Sequence, residues 1–96
     1  MLKPSEILQQ RGWYQGGYVA EDGSVCAGRA IMLAIPGEGQ QIELRQAIRD
    51  RVNAFLQGVV SCPKRHYGVM GYNDCDCMDL DTMLRALKHA EQEVGL

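Results

Sequence analysis

The sequence predicts a mainly α-helical domain with a small β-hairpin, and three observations lead to that prediction. An amphipathic pattern runs from Gln41 to Val59, where apolar residues recur at spacings of three and four. A second stripe of the same period covers Leu80 to Val94. The 96 residues are enough for one hydrophobic core and not for two. We therefore expect one compact domain over residues 1–96, with three to four helices around the Gln41–Val59 helix.

The N-terminal part predicts a short helix followed by the hairpin. Pro4 suits a first helical turn because the N–H it lacks is not needed there, and Gly12 is placed to end that helix. The aromatic and β-branched residues of Trp13 to Ala20 favour an extended strand. Asp22-Gly23 is a tight-turn signal, after which Val25-Cys26 would form the second strand.

The remaining elements follow from apolar runs and chain breakers. The segment Ala27 to Ile35 is apolar on nearly every side, which fits a short helix buried on most faces, although periodicity alone also allows a strand. Gly58 to Gly71 contains a proline and several glycines, so we expect it to be irregular. Asp79 or Asp81 can cap the last helix by accepting backbone N–H bonds.

Composition excludes several classes of protein. Apolar residues make up 46% of the chain and charged residues 23%, which is typical of a folded globular protein. The net charge of -2 lacks the basic excess expected of a duplex nucleic-acid binder. No apolar run reaches the roughly 18 residues that would span a membrane, and the N-terminus lacks the apolar core of a signal peptide. We expect a cytoplasmic protein with reduced cysteines, for which homo-oligomerisation would add buried surface.

Three short motifs carry a family resemblance. They are Arg11-Gly12-Trp13-x-Gln15-Gly16, Cys26-Ala27 before a helix of small residues, and Tyr72-Asn73-Asp74 before the last helix. The chain resembles a family of short, uncharacterised proteins of actinobacteria and their phages, whose members carry Gly-Trp-x-Gln-Gly, Cys-Ala-Leu-Gly-Ala-Leu and Trp-Asn-Asp. Here Tyr72 replaces the tryptophan, and Gly28 lies one position early. The resemblance implies the helical fold and a phage or actinobacterial origin, and it carries no known activity.

Two short polar–aromatic segments, residues 12–16 and 72–74, are the candidate ligand-binding site, and we interpret both as loops. They combine an aromatic wall, amide groups that donate and accept, and a glycine that lets backbone N–H groups approach a ligand. Each segment taken alone is also explained as structure, with a core tryptophan and capped turns. A shared cleft would favour binding. The candidate residues are Trp13, Gln15, Gly16, Tyr72, Asn73 and Asp74.

The cysteines and acidic residues raise further alternatives. Cys62, His66, Cys75 and Cys77 are potential zinc ligands, but Cys75-x-Cys77 is tighter than the usual spacing, so we assign no metal ligands. An acidic run resembles a calcium loop but lacks the glycine and distal glutamate of an EF-hand, which indicates a solvated helix entrance. That run comprises Asp74, Asp76, Asp79 and Asp81.

A cysteine-dependent enzyme is a further hypothesis. Cys26 lies at the expected start of a helix, where the helix dipole lowers a thiol pKa. His66 or His89 would act as its base, with Asp74 as the orienting group. Because buried structural cysteines are common, we assign no catalytic residues.

Basic residues offer an anion-binding alternative. The trio Lys64-Arg65-His66, together with Arg45, Arg49 and Arg51, could form a local patch for a phosphate-bearing ligand or an acidic surface. We expect a non-enzymatic binding protein without cofactor, encoded by a phage or mobile element, that engages a host protein. The alternatives are a protein that sequesters a small nucleotide-like ligand and the cysteine-dependent enzyme.

Overall fold

Five helices follow one another in the computed structural model, which describes residues 2–36, 40–62, 64, 66 and 68–96. This confirms a compact, mainly helical fold, with one helix more than the upper bound expected. The additional helix, residues 68–73, begins in the segment 58–71 that was predicted to be irregular and extends two residues beyond it. The helices are α1 (Pro4–Arg11), α2 (Ala27–Ala34), α3 (Gln40–Val59), α4 (Gly68–Asn73) and α5 (Leu80–Glu93).

The core forms where α3 packs along α5, in agreement with the two apolar stripes. The side chains of Ile48, Val52 and Leu56 on α3 are fully buried. On α5, Met83, Ala86, Leu87 and Ala90 are fully buried as well. The two stripes end in solvent, because Val59 and Leu80 stand at helix termini and remain 54% and 37% exposed. The helices α1, α2 and α4 complete the core around this pair.

Helix ends follow the capping residues of the sequence. Gly12 ends α1 with a φ of 91°, a conformation that favours glycine, and its N–H donates to the Leu8 carbonyl at 2.9 Å. At the start of α5, Asp79 Oδ1 accepts the Thr82 N–H at 2.7 Å, so Asp79 and not Asp81 is the cap.

A buried carboxylate, which the sequence reasoning missed, joins the first and last helices. Glu91 is only 3% exposed, although it lies on the charged final helix. Its two oxygens accept the backbone N–H and the hydroxyl of Ser5, each at 2.8 Å. The carboxylate thereby satisfies a free N–H in the first turn of α1 and lies at the end of the helix that favours negative charge.

The predicted hairpin is not confirmed. Between residues 12 and 26 the chain has isolated bridges, of Val25 with Trp13 in parallel and with Val19 in antiparallel orientation. The expected turn is present, since the Gly23 N–H donates to Ala20 and the Ala20 N–H to Ser24. Trp13 and Val19 thus both pair with Val25, and no second pairing extends into a ladder in this segment.

Among the described residues, no helix is both long and apolar enough to cross a membrane.

Candidate functional site

The two polar–aromatic segments meet in space. The indole Nε1 of Trp13 donates to Asn73 Oδ1 at 2.7 Å, although 60 residues separate them. The Gly16 N–H donates to Asp74 Oδ1 at 2.9 Å. The Gln15 side-chain amide donates to the carbonyls of Asn73 and Cys75, at 3.0 and 2.9 Å. The second segment is not wholly a loop, because Tyr72 and Asn73 form the last turn of α4.

Asn73 is the centre of this contact, and its side chain is fully buried. Besides the indole, Oδ1 accepts the Ala27 N–H at the start of α2, at 2.9 Å. The Nδ2 atom donates to the Tyr14 carbonyl at 3.0 Å and to Asp74 Oδ1 at 2.9 Å. A side-chain amide has two acceptor positions and two donor hydrogens, so Asn73 uses all four within the protein.

The hydrogen bonds of the two segments therefore run mainly between the segments themselves. Tyr72 is only 7% exposed, and its ring packs against the His66 imidazole with centroids 4.7 Å apart. The clefts described below are lined by other residues. The observed contact joins the loop after α1, the start of α2 and the end of α4. Ligand binding by these six residues stays a prediction.

Next to this contact lies a group of three thiols and one imidazole, which we call the Cys/His cluster: Cys62, His66, Cys75 and Cys77. One donor atom from each residue lies within 4.8 Å of the donor atoms of the other three. The Sγ atoms of Cys62 and Cys75 are 3.7 Å apart, and Cys77 Sγ is 3.8 Å from His66 Nε2. All four cysteines of the chain are unbridged thiols.

A tight turn between α4 and α5 brings Cys75 and Cys77 into the same cluster. The Met78 N–H donates to the Cys75 carbonyl at 3.1 Å, and the Cys77 N–H donates to Cys75 Sγ at 3.3 Å. The short Cys75-x-Cys77 spacing, which counted against a shared site in the sequence, is therefore accommodated by the turn. Cys62 reaches the cluster from the chain that follows α3, and His66 from the chain that precedes α4.

The thiols of the cluster differ in acidity. The backbone N–H of Lys64 lowers the pKa of Cys62 to about 7, and His66 and Cys77 add smaller effects. Desolvation of its sulfur raises the pKa of Cys77 to about 12, and the thiols of Cys75 and Cys62 act in the same direction. The surroundings of the cluster thus lower the pKa of one thiol and raise that of another.

The residues of the cysteine-enzyme hypothesis lie in separate contacts. Cys26 is fully buried, and its Sγ accepts the Arg29 N–H at 3.2 Å as the N-cap of α2. His66 belongs to the Cys/His cluster, whereas His89 Nε2 lies 3.3 Å from Glu93 on α5. Asp74 Oδ1 accepts hydrogen bonds from Gly16 and Asn73.

The charged runs are divided among separate contacts as well. Asp76 pairs with Lys64 at 3.2 Å and Asp81 with Arg85 at 3.3 Å, both on the exposed surface. Hydrogen bonding to the Lys64 ammonium lowers the pKa of Asp76. Arg45 and Arg51 donate to the backbone carbonyls of Ile35 and Ala47. Arg65 lies outside the described residues.

Arg49 lines a cleft of about 270 Å³ between α3 and the start of α4, which we call the Arg49 cleft. Its polar lining residues on α3 include Gln46, Asp50 and Asn53. Tyr18, which is 59% exposed, also lines this cleft. This cleft therefore combines a guanidinium group, a carboxylate and an aromatic ring.

An apolar cleft of about 480 Å³ lies where the ends of the described chain meet α2 and α3. Leu2 and Leu96, which are 41% and 40% exposed, line it. A polar groove of about 370 Å³ adjoins the cleft and shares Lys3 and Leu96 with it. Sequence reasoning missed this cleft because its wall forms only when distant segments meet. It is lined by Leu2, Lys3, Pro4, Ala34, Ile35, Pro36, Gln41, Leu44 and Leu96.

Comparison with known proteins gives one family and no individual relative. Searches among curated proteins and among solved structures give no match. A family model described as a family of unknown function, DUF6197, matches residues 4–93, which include all five helices. The prediction of membership in an uncharacterised family is thereby confirmed. The chain belongs to the family DUF6197, whose function is unknown.

Proposed function

We propose that this chain is a non-enzymatic, cytoplasmic binding protein, encoded by a phage or mobile element, that engages a host protein through the apolar cleft. The observation that carries the proposal is the apolar lining of this cleft, with leucine side chains left about 40% exposed at its edge. Apolar side chains that converge on an open cleft gain free energy when a partner removes them from water.

The surroundings of the apolar cleft support a protein partner. The adjoining polar groove is lined by charged residues of both signs, among them Lys3, Glu6 and Lys88. An apolar centre beside a polar, charged border is the usual arrangement of a protein–protein contact surface. The expected occupant is an apolar side chain of the partner, inserted between Leu2 and Leu96, with charged neighbours over the groove.

A small molecule fits this cleft less well. Sites for small ligands fix orientation with several precisely placed polar groups. In the apolar cleft, the lining side chains that carry such groups are Lys3 and Gln41, and both are long and flexible. Specificity here would have to come from shape and apolar contact, as it does for a protein anchor residue.

The test compares one substitution inside the cleft with one outside it. Leu96→Lys places an ammonium group in the cleft, whereas Val59→Lys makes a similar change at a residue that is 54% exposed and does not line it. Both proteins and the unsubstituted chain are immobilised, incubated with actinobacterial lysate and analysed by quantitative mass spectrometry. The partner is then purified and its affinity measured by calorimetry.

We expect Leu96→Lys to weaken binding of the partner at least about 10-fold, because burying an unpaired charge is costly. Val59→Lys should bind as the unsubstituted chain does. Equal retention by both variants would overturn the proposal. A dimer in analytical ultracentrifugation that Leu96→Lys abolishes would also overturn it, because the cleft would then belong to a homo-oligomer.

The Arg49 cleft supports a second candidate, which is binding of a small nucleotide-like ligand. Arg49 can contact a phosphate, Tyr18 can stack on a base, and Asp50 can accept hydrogen bonds from sugar hydroxyls. A thermal-shift panel of nucleotides tests this function, with Arg49→Gln as the diagnostic variant. Stabilisation that Arg49→Gln removes would support it, and no stabilisation across the panel would rule it out.

A further inference from the structure

We propose that the Cys/His cluster is a zinc site, in which Cys62, Cys75, Cys77 and His66 bind one Zn²⁺ ion as a closed structural centre. This goes beyond the proposed function, which concerns the opposite end of α3 and does not depend on a metal. The proposal begins from geometry. Three sulfur atoms and one imidazole nitrogen, contributed by three separate parts of the chain, lie within 4.8 Å of one another.

The distances match the edges of a zinc tetrahedron. With Zn–S bonds of about 2.3 Å and Zn–N bonds of about 2.0–2.1 Å, tetrahedral angles require sulfur–sulfur edges of about 3.8 Å and slightly shorter sulfur–nitrogen edges. The observed Cys62–Cys75 sulfur separation is 3.7 Å, and Cys77 Sγ lies 3.8 Å from His66 Nε2. No two donor atoms of the cluster are more than 4.8 Å apart. This upper limit exceeds the ideal edge by about 1 Å, a difference that rotation of a cysteine side chain can remove.

The donor atoms select zinc over harder cations. Calcium and magnesium require oxygen ligands, and this cluster offers none. A tetrahedral set of three thiolates and one imidazole is a recognised structural zinc set, Cys₃His. Four protein ligands leave no open position for water or substrate, which identifies the role as structural and not catalytic.

Contacts around the cluster support the ligands. The Cys77 N–H donates to Cys75 Sγ at 3.3 Å, which orients that sulfur within the turn. Tyr72 packs against the His66 ring and limits its rotation. Gln15 donates to the Cys75 carbonyl at 2.9 Å, so the contact between the two polar–aromatic segments fixes the backbone of a ligand. Outer contacts of this kind orient metal ligands.

The proposed ion would connect the end of α3 to the turn between α4 and α5. Cys62 comes from the chain that follows α3, His66 from the chain that precedes α4, and Cys75 and Cys77 from the turn. Zinc binds the thiolate forms, so its binding releases the protons that the thiols still hold, and it stabilises the folded chain because the ligands are assembled only there. In a domain of 96 residues the hydrophobic core is small, so an ion bound by four protein ligands would contribute additional stability.

The first measurement is the binding of the metal alone. The chain is purified under reducing conditions, stripped with a chelator and loaded anaerobically with Zn²⁺, and the metal is counted by mass spectrometry after desalting. We expect one ion per chain and a melting temperature higher by at least about 5 °C. Loading with Co²⁺ should give visible absorption bands of tetrahedral geometry and a thiolate-to-cobalt charge-transfer band.

Matched variants assign the ligands. Cys77→Ser and His66→Gln change ligands with exposed or half-buried side chains, and each should lower zinc affinity at least about 100-fold. The controls are Cys26→Ser and His89→Gln, which change the remaining cysteine and histidine outside the cluster. Both controls should retain one ion and the cobalt spectrum.

Three outcomes would overturn the proposal. The first is the absence of stoichiometric zinc in the fully reduced chain. The second is an equal loss of zinc from Cys26→Ser and Cys77→Ser. The third is an octahedral cobalt spectrum without the charge-transfer band, which would indicate oxygen ligands. The mass of the protein confirms in each case that the thiols are reduced, so that a disulfide between Cys62 and Cys75 is detected and removed before metal is added.

Discussion

Replacing Asn73 with alanine should lower the free energy of unfolding by about 4 kcal/mol. The side chain is fully buried and makes hydrogen bonds with four partners. Alanine leaves the Trp13 indole N–H, the Ala27 N–H and the Tyr14 carbonyl without this partner. A net hydrogen bond contributes about 1 kcal/mol, and a buried group left unsatisfied costs about 1–3 kcal/mol. The Ala27 N–H is expected to account for the largest share because Ala27 is fully buried.

The chain supplies a matched control in Asn53, a partly buried asparagine on α3. The Oδ1 atom of Asn53 is buried and has no hydrogen-bond partner among the described residues. Asn53→Ala therefore removes an unsatisfied acceptor and substitutes a better helix former, so stability should change by less than about 0.5 kcal/mol or increase.

Urea denaturation followed by far-UV circular dichroism measures both variants without relying on Trp13, whose surroundings change in Asn73→Ala. The difference between the two effects should be at least about 3.5 kcal/mol, a large share of the roughly 5–14 kcal/mol expected for a domain of this size. Losses that agree within about 0.5 kcal/mol would refute the inference that this hydrogen-bond network stabilises the fold.

Three further predictions follow from the buried and capping groups. Glu91→Ala should lower the free energy of unfolding by about 2–3 kcal/mol, because it leaves the backbone N–H and the hydroxyl of Ser5 without this acceptor. The substitution Glu93→Ala, at an exposed residue, should have little effect. Equal losses in urea denaturation would contradict this prediction. The hydrogen bond from the Thr82 backbone N–H lowers the pKa of Asp79. The Asp79 carboxylate therefore stabilises the fold above about pH 4, and this stabilisation is lost as the pH falls through the lowered pKa. Asp79→Ala should therefore lower the melting temperature by a few degrees at pH 7 and less at pH 3, with Asp79→Asn as the capping control. In the reduced, metal-free protein, iodoacetamide at pH 7 should modify Cys62 fastest, because its pKa is about 7, and the buried Cys26 slowest; peptide mass spectrometry gives the order, and fastest reaction at Cys26 would contradict it.

The helices that the sequence predicted best are those whose packing follows a single local period. The stripe on the 20-residue helix α3 has a fully buried centre at Ile48, Val52 and Leu56, as the pattern predicts, while its end at Val59 is exposed. The helix α4 was missed because Gly68 and Gly71 lower its intrinsic propensity. It is stabilised instead by burial of Val69 and Tyr72, which lie three positions apart on one face. That burial depends on tertiary neighbours, which a local window does not contain.

The predicted hairpin is not confirmed, and the reason is again that a local pattern does not specify tertiary partners. Aromatic and β-branched residues at positions 13–19 favour a strand by composition, but composition does not say which partner satisfies the backbone and side chains. Here the Trp13 indole and the Gln15 amide bond to α4 and the turn that follows it. Backbone pairing in this segment is limited to isolated bridges at Val25, and the side chains of Trp13 and Gln15 make contacts that span about 60 residues, which no local pattern could indicate.

The contact between the two polar–aromatic segments and the Cys/His cluster are best understood as one unit. Gln15 bonds to the Cys75 carbonyl from the first segment, and Tyr72 of the second packs on the His66 ring. The residues that join the loop after α1 to α4 therefore also fix the positions of the Cys75 backbone and the His66 ring. A polar contact that is fully satisfied and buried at Asn73 is rigid, because each lost bond would leave a partner unsatisfied. Such rigidity would favour the proposed zinc site, since a fixed backbone leaves only small side-chain rotations to complete the coordination. Under the zinc proposal, Gln15 of the first motif and Tyr72 of the second are positioning residues, because one bonds to the backbone of Cys75 and the other packs on the His66 ring.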